Sequence, residues 1–182
     1  MKNIAVIVGS LRKESFSKKV ALNMMEMFRE DYELELVPIE LDLYNQDLDE
    51  GDDVPESWRI FREKMKTKDA VLFVTPEYNR SVPGVLKNAL DVGSRPPTES
   101  VWRGKPAAVV SNSPSNLGAF GANHHLRQSL VFFDMPVVQQ PEVYLSGVAE
   151  VFDEKGKFNN DRTTLYVQKL IDKFVEVIEK NE

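Results

Sequence analysis

Within residues 8–17 (VGSLRKESFS), three serines and an arginine lie where an apolar run gives way to a helical pattern, and that is the composition of an anion site. A helix beginning near Ser15 leaves its first backbone N–H groups without intrahelical acceptors and presents the positive end of its dipole. A phosphate placed there gains several bonds together. Ser10, Ser15 and Ser17 add hydroxyls, Arg12 adds a guanidinium able to grip a phosphate through two bonds, and Gly9 lets the chain turn tightly before them. The stretch matches neither G-x-x-x-x-G-K-[ST] nor G-x-G-x-x-G. Two readings stand side by side: a serine-rich phosphate loop, or serines that only cap the helix.

The elements that must position this loop follow from the hydrophobic periods. Ile4 to Val8 is a continuous β-branched run, the pattern of a strand buried on both faces, and Phe16, Val20, Met24, Met27 and Phe28 then recur at helical spacing. Leu34 to Ile39 reads as a second strand, closing a βαβ unit. Residues 40–54 form a long acidic connection whose Asp47, Asp49, Gly51, Asp52 and Asp53 lack the spacing of a calcium loop, so a solvated charged loop is expected. Pro55 opens a helix with Trp58, Phe61 and Met65 in its stripe, and Asp69 to Thr75 is the clearest buried strand. A helix from Pro83 and Gly84 to Gly93 follows, then a strand over 106–110, a polar stretch over 111–121, a helix over 122–133 and a short fifth strand over 136–139. Residues 153–156 signal a turn, and Val167, Leu170, Ile171, Phe174 and Ile178 share one face of a last helix.

Strands alternating with helices predict one α/β domain over residues 1–182, with a five-stranded parallel sheet covered on both faces and right-handed crossovers. In such sheets ligands bind beyond the C-terminal strand ends, at the switch in strand order. Loops 9–17, 76–83 and 111–121 are all expected there, and all are rich in Gly, Ser, Asn and Pro.

Composition narrows the class of partner. Lys+Arg 23 against Asp+Glu 29 gives −6, which argues against a nucleic-acid or anionic-membrane surface, and 42% hydrophobic residues suffice for a core. The chain contains no cysteine, so disulfides, thiolate chemistry and the usual zinc sites are excluded, and no metal site is expected. The first apolar run is too short for a signal peptide or a membrane span, and a cytoplasmic protein is expected.

GSLRKESFS, then TPEYNRSVPGVLKNALD, then HHLRQ, together resemble the NADPH-dependent FMN reductase family of flavodoxin-like fold, which includes quinone, azo-dye and chromate reductases. The resemblance spans residues 3 to about 142, and P-E-Y-N-x-S-x-P-G-x-L-K-N-A-x-D is its specific part. It implies a three-layer sandwich with strand order 2-1-3-4-5, bound FMN, and NADPH or NADH as the reductant of small-molecule electron acceptors. It also implies a homodimer or homotetramer, with loop 40–54 near a neighbouring subunit's flavin. Carried over, Ser10, Arg12, Ser15 and Ser17 hold the flavin phosphate, with Phe16 beside them. Pro76, Glu77, Tyr78 and Asn79 lie along the ring system, chiefly through backbone groups, and Ser113 and Ser115 complete the set. Arg80 is a candidate for a nucleotide 2′-phosphate, and Phe120 either covers the substrate face of the flavin or belongs to the core.

The third loop departs from the family's S-P-G-A-L-G-G-A-R-A-Q: Ser115 and Ala119 replace glycines, and Gly121 stands where an arginine is common. Fewer glycines leave less room for close backbone approach, which bears on flavin affinity. His124 and His125 are read as structural, since adjacent residues on a helix point apart. Arg127 and Glu142 match family positions at subunit contacts, or else form a surface salt bridge. The rival function is a flavodoxin-type electron carrier, which binds FMN without oxidising NAD(P)H. A receiver domain of the same topology is excluded, because Gly9-Ser10 and Thr75-Pro76 occupy the places its acidic residues need.

Overall fold

In the computed structural model, which describes residues 1–51 and 53–181, one parallel sheet carries the strand order β2-β1-β3-β4-β5. The strands are β1 (Lys2–Val8), β2 (Tyr32–Leu36), β3 (Ala70–Thr75), β4 (Ala107–Asn112) and β5 (Val143–Leu145). The helices are α1 (Phe16–Met25), α2 (Gln46–Asp49), α3 (Glu56–Lys66), α4 (Gly84–Gly93), α5 (Phe120–Phe132) and α6 (Asp161–Lys180). This is the flavodoxin-like arrangement expected, and the order reverses between β1 and β3.

Alternation along each strand builds the two cores. Ile4 and Val6 of β1, Leu72 and Val74 of β3, and Val110 of β4 pack with Val20 and Met24 of α1 and with Leu170 and Phe174 of α6. The intervening Ile7, Phe73 and Val109 pack on the other side with Trp58, Phe61, Leu86, Leu90, Trp102 and Leu126. Every residue of β3 and β4 is buried, because helices cover both faces.

Four boundaries differ from expectation, the first being the second strand, which runs over Tyr32–Leu36 and not over 34–39. The fifth strand is Val143–Leu145, not residues 136–139, where only a single bridge joins Ala107 to Val137. After Val138 donates to the Ala107 carbonyl, Pro141 interposes a residue with no N–H, and pairing resumes only at Val143 beside Val110. Helix α1 stops at Met25, leaving Met27 and Phe28 to pack against the core from the following turn. β4 continues past Val110 through Ser111 and Asn112, whose polar side chains are 0% and 2% exposed.

The acidic connection is exposed along most of its length, as expected of a charged loop, but it is anchored at a few points. Asn88 of α4 accepts from the Tyr44 N–H and donates to the Asp42 carbonyl, and the Trp58 indole donates to the same carbonyl. Arg62 of α3 grips Asp49 bidentately at 2.7 and 2.8 Å, with both side chains nearly buried. Asp52 of the weighed calcium pattern lies outside the described residues. No helix among the described residues is long and apolar enough to cross a membrane.

Candidate functional site

The loops after β1, β3 and β4 meet at the reversal in strand order, tied together by a buried polar triad. Ser17 Oγ donates to Asn112 Oδ1 at 3.1 Å, while Asn112 Nδ2 donates back to Ser17 Oγ at 2.9 Å and to the Thr75 carbonyl at 3.4 Å. Each residue belongs to a different one of the three segments, and all are buried. Burying these groups costs little because each finds a partner, and the bonds fix the spacing of the strand ends. Gly9 completes the junction: a Cβ there would lie 2.8 Å from Thr75 Oγ1 and 3.3 Å from Pro76.

In the first loop, the structure separates the roles of the serines. Ser15 is the N-cap of α1, its hydroxyl accepting from Lys18 N–H at 3.2 Å while its carbonyl accepts from Lys19. Ser15 and Ser17 are 3% and 1% exposed, so both hydroxyls are already engaged within the protein. The Phe16 ring stacks on Phe152 at 6.4 Å, which leaves only its backbone to the loop. The Phe16 and Ser17 N–H groups precede the first intrahelical bond and have no acceptor in the helix. Beside them are Ser10, whose hydroxyl accepts from Arg12 N–H at 3.3 Å, and the exposed Arg12 guanidinium. Open N–H groups at a helix start, a hydroxyl and an arginine without an acidic partner among the described residues are a donor set that fits a phosphate dianion. A groove of about 230 Å³ runs from Ser10 and Lys18 along the ends of β1 and β2.

The second loop is a tight turn docked on α5. Tyr78 and Ser81 exchange backbone bonds at 3.1 and 3.0 Å, with Asn79 and Arg80 between them at φ 50° and 67°. Glu77 does more than offer backbone groups: its carboxylate accepts from Ala122 N–H at 3.0 Å and caps α5, whose own N-cap position, Ala119, has no side-chain acceptor. Gly121 makes that contact possible, since a Cβ there would meet the Arg80 carbonyl at 2.8 Å and the Glu77 carboxylate at 2.9 Å. One turn along the same helix face, His125 Nδ1 bonds Ser81 Oγ at 2.9 Å. The glycine that stands at the position of the resembled family's common arginine is thus the seat of the 78–81 turn.

The third loop leans on β5. Ser113 N–H donates to the Leu145 carbonyl, and Gly147 N–H donates to the Ser115 carbonyl. The Ser113 and Ser115 hydroxyls bond each other at 2.9 Å, so the structure places this pair on the β5 side of the cluster. Gly118 is obligatory, with φ +55° and a Cβ position 2.8 Å from the Tyr144 carbonyl carbon. Ala119 stands at φ 62° and is buried, so this departure from glycine is accommodated in a left-handed backbone with the smallest side chain that has a Cβ. Behind the loop, Asn123 donates to Ser111 Oγ, Ser111 donates to the Gly118 carbonyl, and Arg127 donates to Asn123 Oδ1.

Phe120 is 51% exposed and is not core; its ring lies tilted against His124 at 4.3 Å and Tyr144 at 5.3 Å between centroids. The two histidines do diverge, His124 Nε2 meeting the Tyr144 hydroxyl at 2.9 Å. The Tyr144 hydroxyl is pushed up to about 12, first by burial and then by the neighbouring Glu142 carboxylate. Glu142 lies 3.8 Å from His124, whereas Arg127 donates to Asn123 and the Val138 carbonyl and pairs with no acid within 4.0 Å among the described residues. Two larger clefts lie away from the first loop: about 390 Å³ between the 44–54 connection, α3 and residues 95–99, and about 750 Å³ between β5 and α6.

Comparison with known proteins shows the family and the fold. The family model described as NADPH-dependent FMN reductase matches residues 2–150. A quinone reductase of Pseudomonas putida is 54% identical over 180 residues, covering 98% of this chain and 96% of that protein. A 2-hydroxy-1,4-benzoquinone reductase of Burkholderia sp is 42% identical, covering 94% and 93%. Among solved structures, FerB, a flavoenzyme NAD(P)H:(acceptor) oxidoreductase from Paracoccus denitrificans, superposes with a TM-score of 0.92 at 38% identity, covering 100% of this chain and 99% of that one.

Proposed function

The chain belongs to the NADPH-dependent FMN reductase family, and from that premise we propose that it is an FMN-dependent NAD(P)H oxidoreductase reducing quinones and related electrophiles. Azo compounds and free flavin fall within the same proposal, as acceptors an open site admits. Bound FMN supplies the two-electron hydride chemistry that joins nicotinamide to acceptor. The protein's part is binding, orientation and electrostatics.

The observation that carries the reading is the donor set at the start of α1, joined by the Ser17–Asn112–Thr75 triad to the docked 76–81 turn. In this assignment Ser10, Arg12 and the N–H groups of Phe16 and Ser17 take the flavin phosphate. The Ser15 and Ser17 hydroxyls hold the loop in shape rather than touching the ligand. Pro76, Glu77, Tyr78 and Asn79 border the ring system, Glu77 by fixing the turn to α5. Ser113 and Ser115 approach from the third loop, and the exposed Phe120 serves the acceptor side.

Purified protein is expected to be yellow or to take up FMN stoichiometrically, and to bind FMN more tightly than riboflavin. Arg12→Ala is expected to weaken FMN by about 1.5–3 kcal/mol, the range of a charge-assisted bond, and to leave riboflavin affinity nearly unchanged. Fluorescence titration with both flavins checks this, and equal affinity for the two would remove the phosphate loop from the account. A cytoplasmic homodimer or homotetramer, with the 40–54 connection near a neighbour's site, is part of the same proposal.

A further inference from the structure

Arg80 occupies a position that its own side chain makes costly. Two-residue turns with both central residues at positive φ take Asn readily at the first place and strongly prefer Gly at the second, because only glycine lacks the Cβ that crowds a left-handed backbone. Asn79, at φ 50°, conforms; Arg80, at φ 67°, does not. The backbone there is fixed from outside, since the Tyr78–Ser81 bonds close the turn and the Arg80 carbonyl abuts Gly121.

Nor does packing account for the arginine. Arg80 is exposed, and its guanidinium has no acid within 4.0 Å among the described residues of a chain of net charge −6. Strain kept at an unpartnered cation beside a ligand loop is the signature of a group held for binding. The exposed cations Arg12, Lys13 and Lys18 stand in the first loop and at the start of α1, where the flavin phosphate is assigned. Arg80 stands instead on the ring-bordering turn, next to Tyr78, which is 49% exposed and offers an aromatic face.

We propose that Arg80 binds the 2′-phosphate of NADPH and sets the preference for NADPH over NADH. This rests on the reading of NAD(P)H as the reductant. The 2′-phosphate is the one group that distinguishes the two nucleotides, and a planar guanidinium meets it with two bonds.

The test is Arg80→Gly, which the turn prefers. It is expected to raise Tm by about 2–4 °C through relief of the left-handed strain. The ratio of kcat/KM for NADPH to that for NADH is expected to fall about tenfold or more, the loss of a charge-assisted bond. Calorimetry with adenosine 2′,5′-bisphosphate and AMP is expected to show wild type favouring the former and Arg80→Gly losing that preference, with Arg80→Lys retaining part of it. An unchanged nucleotide ratio overturns the assignment. Equal losses for both nucleotides do so too, by placing Arg80 on the shared pyrophosphate, as does dissociation of an oligomer at constant ratio, by placing it at a subunit contact. A wild-type protein that binds FMN but oxidises neither nucleotide overturns the enzyme reading itself.

Discussion

Asp49→Ala is expected to cost about 3–5 kcal/mol of stability, because it leaves the Arg62 guanidinium buried without its carboxylate. The pair is 10% and 9% exposed, and its two N–H···O bonds of 2.7 and 2.8 Å are joined by a third from Arg62 Nε to the Val92 carbonyl. Removing the anion strands the cation, whereas removing both charges does not. Asp49→Leu with Arg62→Met is therefore expected to recover most of the loss. Urea titration of the three proteins reads this directly. A cost below about 1 kcal/mol for Asp49→Ala would mean that water reaches the pair as it reaches a surface bridge.

Gly118→Ala carries the next largest effect, about 2–4 kcal/mol, from a left-handed backbone with a Cβ and from overpacking. The added atom would meet the Tyr144 carbonyl carbon at 2.8 Å and Tyr144 Cβ at 2.9 Å, both fixed by β5. Either the third loop lifts from β5 or the strand end moves. Gly84→Ala is the control, since nothing lies within 4 Å of a Cβ there and the residue begins α4. It is expected to stay within about 0.5 kcal/mol of the parent. Equal costs for the two substitutions would show that loss of glycine, rather than the contact with Tyr144, sets the effect.

These residues mark where sequence reasoning reached and where it stopped. Buried strands such as Ile4–Val8 and Asp69–Thr75 announce themselves by composition, and the loops they lead into follow from topology. The fifth strand was displaced because Pro136–Gln139 has strand-like residues but only one bridge to β4, while the three residues that do pair, Val143–Leu145, are too few to show a period. The 40–54 connection reads as solvated because its acids outnumber its apolar residues. What anchors it is long-range: Asn88, Trp58 and Arg62 reach it from other helices. Within the site, Ser15 and Ser17 were legible as hydroxyls beside a helix start, but not as already engaged. Asn112 was hidden because a polar residue after an apolar run looks like the first residue of a loop, although here it is the last of a strand. Glu77 as a helix cap depends on its contact with Ala122, 45 residues away, which no local spacing reveals.

The kinetic expectation follows from the open arrangement. Nicotinamide and acceptor would use the same exposed side of the site, with the assigned ring contacts coming from one turn and Phe120 half exposed. The oxidised nucleotide must then leave before the acceptor enters, and initial-rate lines should be parallel.

The most direct measurement is anaerobic mixing of the FMN-loaded protein with one equivalent of NADPH, followed by a quinone, with the visible flavin absorbance recorded throughout. The account predicts that the band bleaches with NADPH alone and returns when the quinone is added. A band that dithionite bleaches but NADPH leaves untouched would contradict it and make the protein an electron carrier.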